Sequence, residues 1–140
     1  MSHVMEFTIT ADDRVGSLAE ITKGLAYEGI NIRGLFMADA GGVGRIRFVV
    51  DDAIKAERVL SEEGRPFVVS PVLAVEVRNA PGALHSVAKV LAENQINIDH
   101  SYTLLPKTAM AIVVIRVTQP DEAADVLEKN GLRVLSESEI

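Results

Sequence analysis

The sequence predicts an α+β protein built from two βαββαβ units that follow one another along the chain. Three observations lead to this prediction: an internal repeat, the same order of strand and helix patterns in both copies, and a join near Ser70-Pro71 that has no flexible linker. When Gly16–Met37 is set over Gly82–Thr103, an offset of 66, eight of the 22 positions are identical. Self-similarity at a fixed spacing indicates a duplicated unit.

The first copy contains the four strand patterns and two helix patterns of one unit. Apolar residues alternate over Met5–Thr10, which is typical of a strand, and recur at helical spacing over Val15–Glu28. Adjacent glycines permit the positive φ of a tight hairpin, and an Asp can cap a helix that a Gly ends. The other predicted elements are a strand at Ile30–Met37, a turn at Ala40-Gly41-Gly42, a strand at Val43–Val50, a helix from Asp51-Asp52 to about Glu63 with Gly64 ending it, and a strand at Phe67–Val69.

The second copy repeats this order. Its predicted elements are Val72–Val77, Gly82–Glu93, Ile96–Leu105, Ala109–Val117, Pro120–Asn130 and Arg133–Leu135. Two right-handed β-α-β crossovers give each unit a four-stranded antiparallel sheet with both helices on one face, the ferredoxin-like arrangement. A unit of roughly 70 residues buries only about 60% of its unfolded surface. We therefore expect two domains, residues 1–70 and 71–140, that pack side by side.

One residue is inserted in the second copy. The offset of 66 pairs two residues in each third strand, Ile46 with Ile112 and Phe48 with Val114. Further along, an offset of 67 is needed to pair Leu60 with Leu127. We place the insertion either in the turn Leu104–Thr108 or just after Val50.

Composition excludes several classes of function. The 140 residues carry a net charge of −6, and this acidic balance argues against nucleic acid as a partner. No Cys is present, which removes disulfides, thiolate metal sites and Cys nucleophiles. No apolar run approaches the roughly 18 residues that span a bilayer, and no signal peptide is visible, so we expect a cytoplasmic protein without a membrane partner.

The loop between the first strand and the first helix is the most informative segment. It is Asp12–Leu18 in the first copy and Arg78–Leu84 in the second. We predict Asp13 and Asn79 as helix N-caps, and the glycine three residues later allows close approach of a ligand. Unpaired N–H groups at a helix start form an anion site that suits an amino acid's carboxylate. A purely structural cap and turn is the alternative.

These residues resemble the ACT domain family. The resemblance is carried in the second copy by Asn79-Ala80-Pro81-Gly82-Ala83-Leu84 and Ile96-Asn97-Ile98, and in the first by Asp13-Arg14-Val15-Gly16-Ser17-Leu18 and Ile30-Asn31-Ile32. It covers nearly the whole chain, as a tandem pair with no catalytic domain. It implies a regulatory module that binds small effectors, most often amino acids, between paired units.

The resemblance also implies two binding sites, each made by the loop of one unit and the second strand of the other. One site would comprise Asp13, Arg14, Val15, Gly16 and Ser17 with Asn97 and Ile98; the other would comprise Asn79, Ala80, Pro81, Gly82 and Ala83 with Asn31 and Ile32. Asn31 and Asn97 could equally be structural turn residues. In serine-sensing members a His precedes the loop; Ala11 and Val77 stand there, so the effector's identity stays open.

The sequence therefore predicts a non-enzymatic amino-acid sensor that needs no cofactor or metal, forms a homodimer and acts on a partner enzyme or regulator. The alternative is an assembly module that docks on a partner enzyme without its own ligand. A phosphate loop at Gly41–Gly44 is rejected because a strand follows, and a metal site at His85 or His100 is rejected because no ligand spacing surrounds them. Arg45–Phe48 is only a faint echo of an RNA-binding strand.

Overall fold

The computed structural model describes residues 3–12 and 14–140, which form seven strands and four helices. The strands are β1 Val4–Asp12, β2 Ile32–Ala40, β3 Val43–Val50, β4 Val68–Arg78, β5 Ile98–Leu104, β6 Met110–Val117 and β7 Arg133–Leu135. The helices are α1 Ser17–Tyr27, α2 Ala53–Glu62, α3 Ala83–Glu93 and α4 Pro120–Lys129, followed by a short 3₁₀ helix, Glu137–Glu139. The chain divides into two compact units: Met5–Ser70, and Pro71–Ile140 with His3 and Val4.

The first unit is a ferredoxin-like βαββαβ fold. Strand β3 pairs antiparallel with β1 on one side and β2 on the other. Its core lies between this sheet and the two helices, with Phe7 stacked on Phe48 at 5.4 Å between ring centroids and with Leu25 and Leu60 fully buried from the helices. Val69, at the start of β4, packs against the same core and completes the unit. The predicted fold is confirmed here.

The second unit has the same architecture. Its sheet order is β5-β6-β4-β7, and every pair is antiparallel. Strand residues Val75 and Ile115 and helix residues Leu91 and Leu127 are buried in one core. Both helices therefore cover one face of the sheet, as the periodicity predicts.

The join between the copies differs from the prediction of two separate strands. Strand β4 runs without interruption from Val68 to Arg78 and includes Pro71. Proline's fixed φ of about −65° lies at the edge of the extended region, so a proline can stand in a strand where no N–H is required. The domain boundaries at 1–70 and 71–140 remain predictions.

The alignment of the third strands is corrected by one residue. Ile46 and Phe48 face the first core, and the residues that face the second core are Val113 and Ile115, an offset of 67. The predicted partner Ile112 pairs with Leu104 on the opposite face. A one-residue slip reverses every side chain of a strand, so the pairing at 66 is wrong there. The inserted residue lies in the turn 105–109.

The first hairpin and the second helix match their predictions. Gly41 and Gly42 both have positive φ, 66° and 85°, and link β2 directly to β3. The carboxylate of Asp52 accepts a hydrogen bond from the backbone N–H of Lys55 at 3.1 Å and caps α2. Gly64 ends that helix with φ 67°. In each case the residue type supplies the backbone conformation or the acceptor that the element needs.

The α1 and α3 helices end with the same chain reversal but different residues. Ile30 N–H donates to Leu25 O, and Ile96 N–H donates to Leu91 O. The residue at the left-handed position is Gly29 in the first unit, with φ 73°, and Gln95 in the second, with φ 59°. Glycine adopts this conformation without a steric penalty, whereas glutamine carries the cost of its Cβ there.

Candidate functional site

The loop glycines, rather than the predicted polar residues, precede the first helix of each unit. Gly16 is the N-cap of α1 with φ 89°, and Gly82 is the N-cap of α3 with φ 86°. The prediction that Asn79 caps α3 is therefore wrong: the helix begins at Ala83, whose N–H donates to the Ala80 carbonyl in the preceding turn. The other predicted cap, Asp13, lies outside the described residues.

Both glycines leave open space above the start of the helix. A Cβ atom built on Gly16 or Gly82 would meet no heavy atom within 4 Å. The first N–H groups of an α-helix lack intrahelical acceptors and sit at the positive end of the helix dipole. A small anion could therefore approach the backbone in either unit, and the surrounding side chains decide whether it has room.

The second unit has a cavity of about 670 Å³ at this place. Five segments form its wall: the end of β4, the loop, the first turn of α3, the start of β6 and the turn before β7. The lining residues are Glu76, Val77, Arg78, Ala80, Pro81, Gly82, Ala83, Ser86, Met110, Gly131, Leu132 and Arg133. Four of the predicted site residues, Ala80 to Ala83, therefore share one cavity.

Three charged residues line this cavity. Arg133 contacts Glu76 at 3.3 Å and Glu139 at 2.5 Å, and these hydrogen bonds and charges raise the pKa of its guanidinium. The pKa of Glu139 is lowered, mainly by hydrogen bonds from the backbone N–H and hydroxyl of Ser136 and then by Arg133. Within residues 3–12 and 14–140, no carboxylate forms an ion pair with Arg78.

Asn79 lies on the other side of the loop. It lines a separate cavity of about 300 Å³ with Leu84 and three polar residues of β5, Ser101, Tyr102 and Thr103. Four residues border both cavities: Val77, Arg78, Ala80 and Ala83. Asn79 is not among the residues that line the larger cavity. The acidic side chain in that lining is Glu76.

The corresponding cleft of the first unit is small, and a side-chain ion pair forms part of its wall. Its volume is about 180 Å³, and its lining includes Arg14, Ser17 and Glu20. Arg14 Nη2 lies 2.8 Å from Glu20 Oε2, and this hydrogen bond, followed by the charge, lowers the pKa of Glu20 and raises that of Arg14. The Ser17 hydroxyl donates to the Asp12 carbonyl at 2.8 Å, whereas Val15 is 100% exposed.

The predicted residues at the strand starts have local partners. Asn31 N–H donates to the Asp51 carboxylate at 3.0 Å, and Asp51 N–H donates to the Asn31 carbonyl at 3.1 Å. The Asn97 amide donates to Asp99 Oδ1 at 3.2 Å. Ile32 and Ile98 pack against the cores of their own units. These contacts are structural, and the part of these four residues in a ligand site stays a prediction.

The predicted site lacks five residues that give the larger cavity its charge and part of its apolar wall. Glu76 and Arg78 lie at the end of β4, Met110 begins β6, Leu132 directly precedes β7 and Arg133 begins it. The predicted topology alone indicates that the start of the last strand lies beside this loop. In a ferredoxin-like unit the fourth strand runs antiparallel beside the first, so the start of β7 must lie near the end of β4.

The two histidines outside the chain start belong to ordinary structural elements. His85 is exposed on α3, and His100 on β5 stacks with Tyr102 at 6.3 Å between ring centroids. Among the described residues, no three potential metal-ligating side chains cluster together. No helix in that part of the chain has the length and apolar character that crossing a membrane requires.

Comparison with known proteins places this architecture in one family. Protein BT0572 from Bacteroides thetaiotaomicron is similar, with 29% identity, coverage of 97% of this chain and 94% of its own, and a TM-score of 0.89. The regulatory subunits of aspartate kinase from Thermus thermophilus and Thermus flavus have the same fold, with 18% and 22% identity and TM-scores of 0.66 and 0.63. These two alignments cover 92% of this chain and 93% and 90% of theirs. The comparison with curated proteins finds no match. The family model described as ACT domain pair matches residues 2–140, and the chain belongs to that family.

Proposed function

We propose that this protein is a non-enzymatic regulator whose second unit binds an amino-acid effector in the 670 Å³ cavity. The observation that carries the proposal is the difference between the two helix starts. The start of α3 borders a cavity of about 670 Å³ lined by polar and apolar residues, whereas the start of α1 borders a cleft of about 180 Å³ whose wall includes the Arg14–Glu20 ion pair. Small-molecule pockets in proteins usually measure about 300–1,000 Å³, a range that includes the 670 Å³ cavity of the second unit and excludes the 180 Å³ cleft of the first.

The cavity offers a complementary group for each part of an amino acid. The backbone N–H groups that follow Ala83, whose own N–H donates to the Ala80 carbonyl, are suited to the α-carboxylate. The half-buried carboxylate of Glu76 is suited to the α-ammonium, a role for which the sequence had suggested Asn79. Val77, Met110 and Leu132 provide an apolar wall for the carbon chain of the ligand.

The route from binding to a signal is also part of the proposal. A ligand regulates only if it binds two states of the protein with different affinity. In this proposal the signal passes to a separate protein or to a change of oligomeric state, and the structural neighbours that are regulatory subunits of aspartate kinase support the first route. The predicted homodimer is tested by light scattering with and without effector.

The alternative is an assembly module that docks on a partner enzyme and has no ligand of its own. The same two regulatory subunits favour it, since a subunit must bind its enzyme whether or not it senses a metabolite. The two functions differ in one measurable property, the binding of a small molecule by the isolated chain.

The test is a thermal-shift screen against the twenty amino acids, followed by calorimetry of any hit. A ligand at 100 times its Kd stabilises the folded protein by about 2.7 kcal/mol, which raises Tm by several degrees. Gly82→Ala and Gly16→Ala form a matched pair, because the two glycines have nearly equal φ and equally open surroundings. We expect both variants to lose similar stability, about 1–2 kcal/mol, and only Gly82→Ala to lose binding.

Two results would contradict the proposal. A complete absence of binding would favour the assembly module. Binding that is lost in Gly16→Ala and retained in Gly82→Ala would place the effector in the first unit.

A further inference from the structure

We propose that the effector of the second-unit cavity carries a second acidic group on its side chain, and that Arg78 is the residue that selects it. This inference rests on the proposed function and names the class of ligand: an amino acid with an anionic side chain. It follows from the charges that line the cavity and from the partners that those charges already have.

The positive charge of Arg133 is already neutralised. Its guanidinium forms ion pairs with Glu76 and Glu139. A further anion there would be repelled by the two carboxylates that Arg133 already contacts. Arg133 therefore acts as a support that holds the Glu76 carboxylate toward the cavity, where it can accept from an ammonium group.

Arg78 is the cation that remains for a ligand. It lies at the end of β4, is exposed, and lines the large cavity. No described carboxylate lies within ion-pair distance of it. An Arg guanidinium presents paired N–H donors that match the two oxygens of a carboxylate, and such charge-assisted pairs are about twice as strong as neutral hydrogen bonds.

The first unit shows that the fold does not require this arginine. At the offset of 66, the position of Arg78 is held by Asp12, and the unit folds with a negative charge there. The negatively charged Asp12 lines the small cleft of the first unit, and the positively charged Arg78 lines the large cavity of the second. Arg78 is therefore explained by the cavity beside it and not by a need of the backbone.

A zwitterionic ligand with an acidic side chain matches these groups one to one. Its α-carboxylate faces the helix start, its ammonium faces Glu76, and its side-chain carboxylate faces Arg78. The corresponding amide has nearly the same shape but lacks the charge. We expect the acid to bind at least about tenfold more tightly than the amide, the difference between a charge-assisted and a neutral hydrogen bond.

The experiment is calorimetric titration of the full chain with L-aspartate, L-glutamate, L-asparagine, L-glutamine and succinate. The variants are Arg78→Gln, Arg78→Lys and the control Arg58→Gln, which removes an exposed arginine of α2. We expect one of the two acidic amino acids to bind best. Arg78→Gln should abolish the preference for acid over amide, Arg78→Lys should retain part of it, and Arg58→Gln should leave it unchanged.

The possible failures are distinguishable. If a neutral amino acid binds more tightly than both acids, and Gly82→Ala abolishes that binding, the assignment of Arg78 is wrong and the proposed function stands. If succinate binds as tightly as aspartate and loses binding in Arg78→Gln, the role of Arg78 stands and the amino-acid part of the proposed function is wrong. If none of the five compounds and none of the twenty amino acids binds, both proposals are wrong.

Discussion

The loops that follow β1 and β4 share a backbone and differ in what their side chains leave open. Both turn through a glycine with φ near 90°, and both lead into an 11-residue helix. In the first unit, Arg14 and Glu20 pair across the helix start; in the second, Ala80 and Ser86 stand at the same positions and line a cavity of about 670 Å³. The two loops therefore differ at two side-chain positions, and the proposed binding site depends on this difference.

The largest effect should come from exchanging those side chains. Ala80→Arg with Ser86→Glu transfers the ion pair of the first unit into the second cleft. We expect effector binding to weaken by at least about tenfold, because the new side chains occupy the cavity and the acid repels a carboxylate from the helix start. Calorimetry measures the loss, and circular dichroism checks the fold.

The reverse exchange is the matched control. Arg14→Ala with Glu20→Ser opens the first cleft without touching the second, so effector binding to the second unit should be unchanged. Unchanged binding by the Ala80→Arg, Ser86→Glu protein would show that the open cleft is not the site.

The ends of α1 and α3 provide a second contrast. Gly29→Ala places a Cβ at φ 73° and should lower stability by about 1–2 kcal/mol. Gln95→Gly at the equivalent position should raise stability by about 0.5–1 kcal/mol, because the strain at φ 59° exceeds the added entropy of the unfolded chain. Denaturant unfolding measures whether the free energy of unfolding falls in Gly29→Ala and rises in Gln95→Gly. A fall in both variants would mean that Gln95 makes compensating contacts.

A smaller effect is expected at Ser17, which is buried and donates to the Asp12 carbonyl. Ser17→Ala should cost about 1 kcal/mol, the net value of one hydrogen bond, since that carbonyl also accepts from Arg14 N–H and is not left unpaired. Ala83 occupies the same place in the second unit, so Ala83→Ser should be near neutral. A large loss of stability from Ala83→Ser would show that the two loops pack differently although their backbones are alike.

The smallest effect is a pH dependence confined to the first loop. Arg14 lowers the pKa of Glu20 below its ordinary value of 4.5. A carboxyl with a lowered folded-state pKa stabilises the protein above its unfolded pKa, and this contribution is lost as the pH falls through the folded value. The pair is exposed, so the contribution is small. The Tm difference between wild type and Glu20→Gln should shrink below pH 4.5; a constant difference would exclude this ion pair as its source.

Most of the fold was predictable because local signals agreed with one another. The pair Gly41-Gly42 between two alternating segments defined β3 to the residue, and Asp52 with Gly64 defined α2 closely. Two features were not predictable from local pattern. The register of β6 depended on where one residue was inserted, and the strand through Pro71 required knowing that no N–H is needed there.

The site was predicted only in part. The loop Ala80–Ala83 was identified from residue types and from family resemblance, and it lines the larger cavity. The charges of that cavity come from residues distant in sequence, such as Arg133, and their partners depend on side-chain geometry that no periodic pattern encodes. The closure of the first cleft by Arg14 and Glu20 was not predictable for the same reason.

The unequal hairpin turns have a consequence for the order of folding. The β2–β3 hairpin closes over two glycines, whereas β5 and β6 are joined by five exposed residues, 105–109. Each doubling of a loop costs about 0.6 kcal/mol in closure entropy, and the paired glycines already favour the turn that a right-twisted hairpin needs. We expect the first hairpin to form within microseconds and to be part of the folding nucleus, while its counterpart forms later. Two units with one architecture would then reach their native states by different routes.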